Sequence, residues 1–173
     1  TLARSFLFVP GDRPERYAKA AASGAHEIIL DLEDAVAPQA KAQARDHVVA
    51  WLREGRAAFV RVNGADTEWH EDDVRALAGV PGAHVMLPKA EPDTLARTVQ
   101  SLKGRRCIAL LETVRGYVEM ERLCAVQGVE RVAFGSIDFG VDSGIADEGG
   151  AMTGIRTRIV LQSRYAGLLP PID

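Results

Sequence analysis

IILDLEDAVAP, residues 28–38, begins as a short apolar run rich in β-branched residues and then breaks into three carboxylates, Asp31, Glu33 and Asp34, before a proline. A run this short and this uniformly apolar reads as a strand covered on both faces. The same transition recurs along the chain. Apolar runs at Phe6–Val9, Ile28–Leu30, Phe59–Val62, Val85–Leu87, Ile108–Leu111 and Val132–Phe134 are each followed by a charged or Gly/Pro-containing loop. Those loops read PGDRP, DLEDAV, RVNG, PKAE, ETVRG and GSIDFG. Helical patterns are expected over Pro14–Ser23, Gln39–Arg53, Glu68–Leu77, Pro92–Leu102, Val118–Val126 and Met152–Ala166. Alternating strands and helices point to consecutive βα units around a parallel sheet. The strand starts, at residues 6, 28, 59, 85, 108 and 132, recur regularly enough for a barrel. An open flavodoxin-like sheet is the alternative that suits the chain length, although no Gly-rich phosphate loop follows the first strand.

Boundary signals support the helices. Pro14 suits a first helical turn. Gly24, Gly55, Gly79, Gly104 and Gly128 stand where left-handed C-terminal caps are expected, and Thr67 or Asp66 is placed to cap the third helix. The Glu71-Asp72-Asp73 cluster reads as a solvated first turn favoured by the helix dipole, and Gly149-Gly150 as a loop hinge.

Composition narrows the function. A chain of 173 residues, 47% hydrophobic and 26% charged, lies in the ordinary range for one soluble globular domain. Its net charge of −3 and lack of a long basic run argue against nucleic acid or an anionic membrane as the main partner. No apolar stretch approaches the roughly 20 residues of a membrane span. No basic segment with an apolar run opens the sequence, so a cytoplasmic address is expected. Cys107 and Cys124 lie in strand-like and helical patterns without a C-x-x-C spacing, and two buried free thiols are expected.

Taken in order, RSFLFVPGDRPERYAKA (4–20), IILDLEDAVAP followed by KAQAR (41–45), FVRVNG (59–64), VMLPKAE (85–91), ALLETVRG (109–116) and FGSIDFG (134–140) resemble the landmarks of citrate lyase β-subunit-like proteins, within the wider HpcH/HpaI aldolase superfamily. The resemblance spans almost the whole chain, and its specificity lies in six motifs in the right order. It implies a TIM-type (β/α)8 barrel and a Mg2+-dependent carbon–carbon lyase. Its substrate would be a citryl-CoA or malyl-CoA type thioester, cleaved to an oxo-acid and an acyl-CoA, and its assembly a homotrimer or hexamer.

The resemblance points to Glu112 and Asp138 as the two protein ligands of the metal. Residue chemistry agrees, because both acids follow neighbouring strands and Mg2+ takes one or two carboxylates together with water and substrate oxygens. For each, the alternative is a surface acid capping a helix. Arg61 suits a two-point grip on a substrate carboxylate, or else a structural ion pair with Asp31, Glu33 or Asp34. The resemblance places Glu33 and Asp34 near the metal, holding water or orienting Arg61; a structural network at the rim is the other reading. The backbone at Gly135 and Ser136 is expected close to the substrate. Arg13 is the candidate for the CoA phosphates or pantetheine, or else an exposed arginine paired with Glu15 or Asp12. Lys89 reads as a structural ion-pair partner rather than a Schiff-base lysine, since Glu91 favours its charged form. None of His26, His47, His70 and His84 sits at a strand's carboxyl end, and none is expected to be catalytic.

The chain stops at PPID, just past the sixth helix. Residues 1–173 are therefore expected to form a single barrel domain truncated to about six βα units. Two other functions stay open: a non-catalytic assembly subunit that keeps the metal and oxaloacetate site, and a CoA-independent pyruvate aldolase.

Overall fold

The structure, a computed structural model, describes residues 2–102 and 104–173. Strands and helices alternate along it: β1 (Phe6–Pro10), α1 (Tyr17–Ala21), β2 (Glu27–Asp31), α2 (Lys41–Arg53), β3 (Ala58–Arg61), α3 (His70–Ala78), β4 (Ala83–Leu87), α4 (Pro92–Ser101), β5 (Cys107–Leu111), α5 (Val114–Val118), α6 (Met120–Cys124), β6 (Val129–Phe134), α7 (Ser136–Ser143) and α8 (Thr153–Tyr165). The strands follow one another in the sheet in sequence order. That is the order of successive βα units in a barrel, and it differs from the crossed order of a flavodoxin-like sheet. The chain divides into two compact units, Thr1–Met86 with Ser101–Arg105 and Leu87–Gln100 with Arg106–Asp173.

In the first unit, β1 to β4 are parallel and in register. Val9, Leu30, Val60 and Val85 form one rung, and Pro10, Asp31, Arg61 and Met86 the rung at the strands' carboxyl ends. Residues paired across a parallel ladder project to the same face of the sheet. The register therefore sets Asp31 beside Arg61 before any electrostatics is considered. Apolar side chains fill the rungs below, where Ile29, Leu30, Phe59, Val60 and Val85 are fully buried. β1 departs from the expectation of cover on both faces, with Leu7 and Phe8 exposed. On α2, Ala44, Val48 and Leu52 recur every four residues on the buried face.

In the second unit, β5 is buried along its length and pairs with β6. Two helical expectations are corrected here. In place of the one helix expected over Val118–Val126 stand α5, which starts at Val114 where Thr113 Oγ1 accepts a hydrogen bond from Gly116 N at 3.0 Å and caps it, and α6, from Met120 to Cys124. Gly116 looks like a helix breaker in sequence, yet a Cβ there would come 2.8 Å from the carbonyl oxygen of Ala90. Close packing thus requires glycine inside this helix. GSIDFG, expected as a loop, forms most of α7, which ends on Gly144 in the left-handed conformation. Beyond α8 the chain returns to β6: Leu169 N donates to Glu130 O, Ile172 N to Val132 O, and Phe134 N to Ile172 O at 2.8 Å. A parallel bridge joins Ala133 to Ile172.

The remaining boundary signals are mixed. Pro14 opens a 3-10 turn, Pro14–Arg16, as expected of a first-turn proline. Gly24, Gly55, Gly104 and Gly128 have positive φ, whereas Gly79 caps α3 at φ −86° and needs no left-handed residue. Neither Thr67 nor Asp66 caps α3. Trp69 stands at its N-cap without a side-chain bond, and the Thr67 hydroxyl donates to Gly64 O instead.

Cys107 and Cys124 are buried free thiols. Burial pushes the Cys107 thiol up to about 12, with Glu130 adding to the shift, and the Cys124 thiol up to about 11. Both thiols are therefore expected to resist iodoacetamide at pH 8 in the native protein and to react in urea, as read by mass spectrometry. Because the folded values lie above the free thiol value of about 8.5, their contribution to stability is complete below that pH. It is lost as pH rises towards the folded values.

Candidate active site

Each unit carries a polar cluster at the carboxyl ends of its strands. In the first unit the centre is Asp31, only 2% exposed. Its Oδ1 accepts from Arg61 Nε at 2.8 Å and its Oδ2 from Arg61 Nη2 at 2.6 Å. The same two oxygens accept from the backbone N–H groups of Glu33 and Ala35. One carboxylate thus folds its own loop and fixes the guanidinium of the next strand. Arg61 Nη1 lies 3.2 Å from Glu33 and 3.4 Å from Asp34, and the guanidinium also sits over the Phe8 ring at 5.1 Å. Burial works against the Arg61 charge, but the Asp31 bond and the fields of Asp31, Glu33 and Asp34 outweigh it and raise its pKa. Nε and Nη2 are committed to Asp31 and Nη1 lies beside Glu33 and Asp34, so a two-point grip on another carboxylate requires one of these contacts to yield.

The sequence reading passed over two residues that build this cluster. Lys41 is buried, and its Nζ donates to Leu32 O at 2.8 Å and Glu33 O at 2.9 Å, tying the loop after β2 to the first turn of α2. Burial lowers its pKa against the pull of Asp31, Asp73, Glu33 and Asp34. Its signal was present in the sequence: a lysine on the same helical face as Ala44 and Val48 must find oxygen acceptors there. Asp73 is the second, and it overturns the reading of 71–73 as a solvated turn. It is fully buried; its Oδ2 accepts from Asn63 N and Nδ2, and its Oδ1 from Arg45 Nη1. His70 Nδ1 stands 2.9 Å from Asn63 O, so α3 holds the loop that follows Arg61 at three points.

In the second unit Glu112, at 3% exposure, follows β5 directly. Its Oε1 accepts a hydrogen bond from the backbone N–H of Lys89 at 2.8 Å. On the neighbouring strand, Leu111 pairs with Phe134, and Gly135 N donates to Leu111 O. A Cβ on Gly135 would come 2.7 Å from Glu112 Oε2 and 2.9 Å from Glu112 Cβ, so the backbone approaches the carboxylate as only glycine allows. Asp138 lies half-buried in the first turn of α7, where the helix N-terminus favours its negative charge. Ser136 opens α7 and bonds Asp147. Arg156 Nη1 and Nη2 donate to the same Asp147, and this pair, with the smaller Ser136 contribution, holds its carboxyl below the usual range.

The other expected residues fall outside these clusters. Arg13 has a 56% exposed side chain, 3.9 Å from Asp12, which is the surface pairing given as its alternative. Glu91, the partner expected for Lys89, lies 3.4 Å from Arg115. His26 bonds Ser5, and the His84 ring packs against Phe59.

Among the described residues, no three or more His, Cys, Asp or Glu side chains are arranged to hold a metal.

The family model for HpcH/HpaI aldolase/citrate lyase matches residues 4–170. The chain belongs to this family. Within the HpcH/HpaI aldolase/citrate lyase family it is 42% identical over 133 residues to a citrate lyase subunit beta-like protein of Mycobacterium tuberculosis, covering 77% of this chain and 47% of that one. It is 34% identical over 165 residues to an L-malyl-CoA/beta-methylmalyl-CoA lyase of Cereibacter sphaeroides, covering 84% of this chain and 52% of that one. The chain thus spans about half the length of these relatives. The solved citrate lyase beta subunit of M. tuberculosis, complexed with oxaloacetate and magnesium, superposes with a TM-score of 0.81 at 36% identity, over 96% of this chain and 77% of that one. No helix among the described residues is long and apolar enough to cross a membrane.

The first cluster makes a direct prediction. Asp73→Ala would leave Arg45 and the Asn63 amides without their buried acceptor, and is expected to cost about 3–5 kcal/mol in urea unfolding. A surface acid would cost no more than about 0.5 kcal/mol, and a loss that small would return Asp73 to the solvated role.

Proposed function

We propose that the chain is a Mg2+-dependent carbon–carbon lyase acting on a citryl-CoA or malyl-CoA type thioester, with Glu112 and Asp138 as its metal ligands. The observation that carries this reading is the Glu112 carboxylate, buried after β5, held at one oxygen by a backbone N–H and faced at the other by the glycine that opens α7. The donor set is all oxygen, as magnesium prefers. The solved relative complexed with oxaloacetate and magnesium, and the relative named for malyl-CoA cleavage, support magnesium as the ion and this class of substrate.

Bound there, magnesium would supply the positive charge that stabilises developing alkoxide or enolate character in a malate- or citrate-like acid. The chain's own residues do the rest. Glu112 and Asp138 would hold the ion, Glu112 in one orientation because Lys89 N–H fixes Oε1. Gly135 lets the backbone pass close to that carboxylate. Arg61 is assigned to a substrate carboxylate; Asp31 keeps its plane fixed, and Glu33 and Asp34, at longer distances, are the partners that exchange. Cleavage of the carbon–carbon bond gives an oxo-acid and an acyl-CoA. A cytoplasmic homotrimer or hexamer, with Arg13 near the CoA phosphates, belongs to the same proposal.

Acetyl-CoA release from citryl-CoA and malyl-CoA, followed with magnesium and with EDTA, tests the reading. Glu112→Gln is expected to lower metal-dependent turnover more than about 100-fold, beyond the 10- to 100-fold loss typical of a residue that only orients a metal ligand. Full activity in this variant would remove the mechanism. Binding of magnesium and oxaloacetate without thioester cleavage would mark a non-catalytic subunit.

A further inference from the structure

Asp138 stands on α7, so its placement depends on how that helix is seated. An apolar and a polar contact seat it on α5. Phe139 is buried, its ring centroid 5.9 Å from that of Tyr117 on α5 and 5.4 Å from that of Phe134 at the end of β6. Asp142 Oδ2 accepts a hydrogen bond from Val114 N at 2.7 Å. Val114 is the first residue of α5, and its N–H is among the donors that a helix start leaves without an intrahelical partner. Thr113 takes the N–H of Gly116, and an acid from another helix takes that of Val114. Ile137 and Val141 form a separate, exposed side of α7.

Residues four apart on a helix share a face. Asp142 therefore lies one turn beyond Asp138 on the same side of α7, and Val114 lies two residues beyond Glu112. The bond between Asp142 and Val114 ties the helix that carries one acid to the backbone that carries the other. The first turn of α7 is held from elsewhere: Ser136 bonds Asp147, whose two oxygens Arg156 grips from α8. With that end held, Asp142 fixes the rotation of α7 about its own axis, and rotation is what would move Asp138.

We propose that Asp142 is a positioning residue for the metal pair: by accepting the Val114 N–H it locks α7 against α5 and so sets where Asp138 stands relative to Glu112. The inference rests on the metal-ligand roles proposed for those two acids. Its demand on Asp142 is an acceptor oxygen in the right place, and the negative charge is secondary.

Titration calorimetry with magnesium alone, on the metal-free chain and its variants, tests this. Asp142→Ala removes the acceptor and is expected to weaken binding about tenfold, the low end of what losing a partner that orients a metal ligand costs. Asp142→Asn keeps an oxygen for Val114 N and is expected to stay within about threefold of wild type. If Asp142→Ala binds like wild type, the tie does not matter and the proposal fails. If Asp142→Asn loses as much as Asp142→Ala, the charge matters rather than the hydrogen bond, and it fails equally.

Melting curves of the metal-free variants report stability separately from affinity. Should Asp142→Ala not fold, an ester in place of the Thr113–Val114 amide removes the N–H and keeps every side chain. That change is expected to weaken magnesium binding about tenfold, and unchanged binding overturns the proposal. Glu112→Gln and Asp138→Asn are titrated alongside. If either binds magnesium like wild type, the metal reading of that acid is wrong; if both lose binding while Asp142→Ala retains it, only the role of Asp142 is.

Discussion

A carboxylate withdrawn from water must be met by donors or it cannot remain charged. Asp31, Asp73 and Glu112 all stand under this constraint, and much of the polar architecture consists of the ways it is met. Asp31 takes a guanidinium in two-point contact and two backbone amides. Asp73 takes an arginine and both donors of Asn63. Glu112 takes the N–H of a residue turned into a conformation that side chains avoid.

The three solutions differ in what they leave over. Asp31 and Asp73 are balanced by cationic side chains, so they build a frame that holds the loops after β2 and β3. Glu112 accepts the N–H of Lys89, which orients one of its oxygens.

Apolar rungs and polar ends divide the labour of each strand. Ile29, Leu30, Phe59, Val60, Ile108 and Leu111 are fully buried and anchor the strands. Asp31 and Glu112 follow at the carboxyl ends, where hydrogen bonds rather than apolar contacts hold their buried carboxylates.

How much of this was legible depended on the range of the interaction. All six strands could be read because a short apolar run bounded by Gly, Pro and acids is a local signal, and the order of the loops carried the resemblance. The Asp31–Arg61 pair was foreseen as one of two roles for Arg61. What local signals could not convey were facts set by neighbours distant in sequence. Asp73 reads as a surface acid in the sequence, yet Asn63 and Arg45 close over it. The left-handed turn at Lys89 left no mark on its residue type at all. Hydrophobic periodicity, written residue by residue, determined by itself where the strands run and which loops gather at their ends. The tertiary structure alone decided which donor meets each buried charge, because that choice is made across the sheet, between residues that the sequence keeps tens of positions apart.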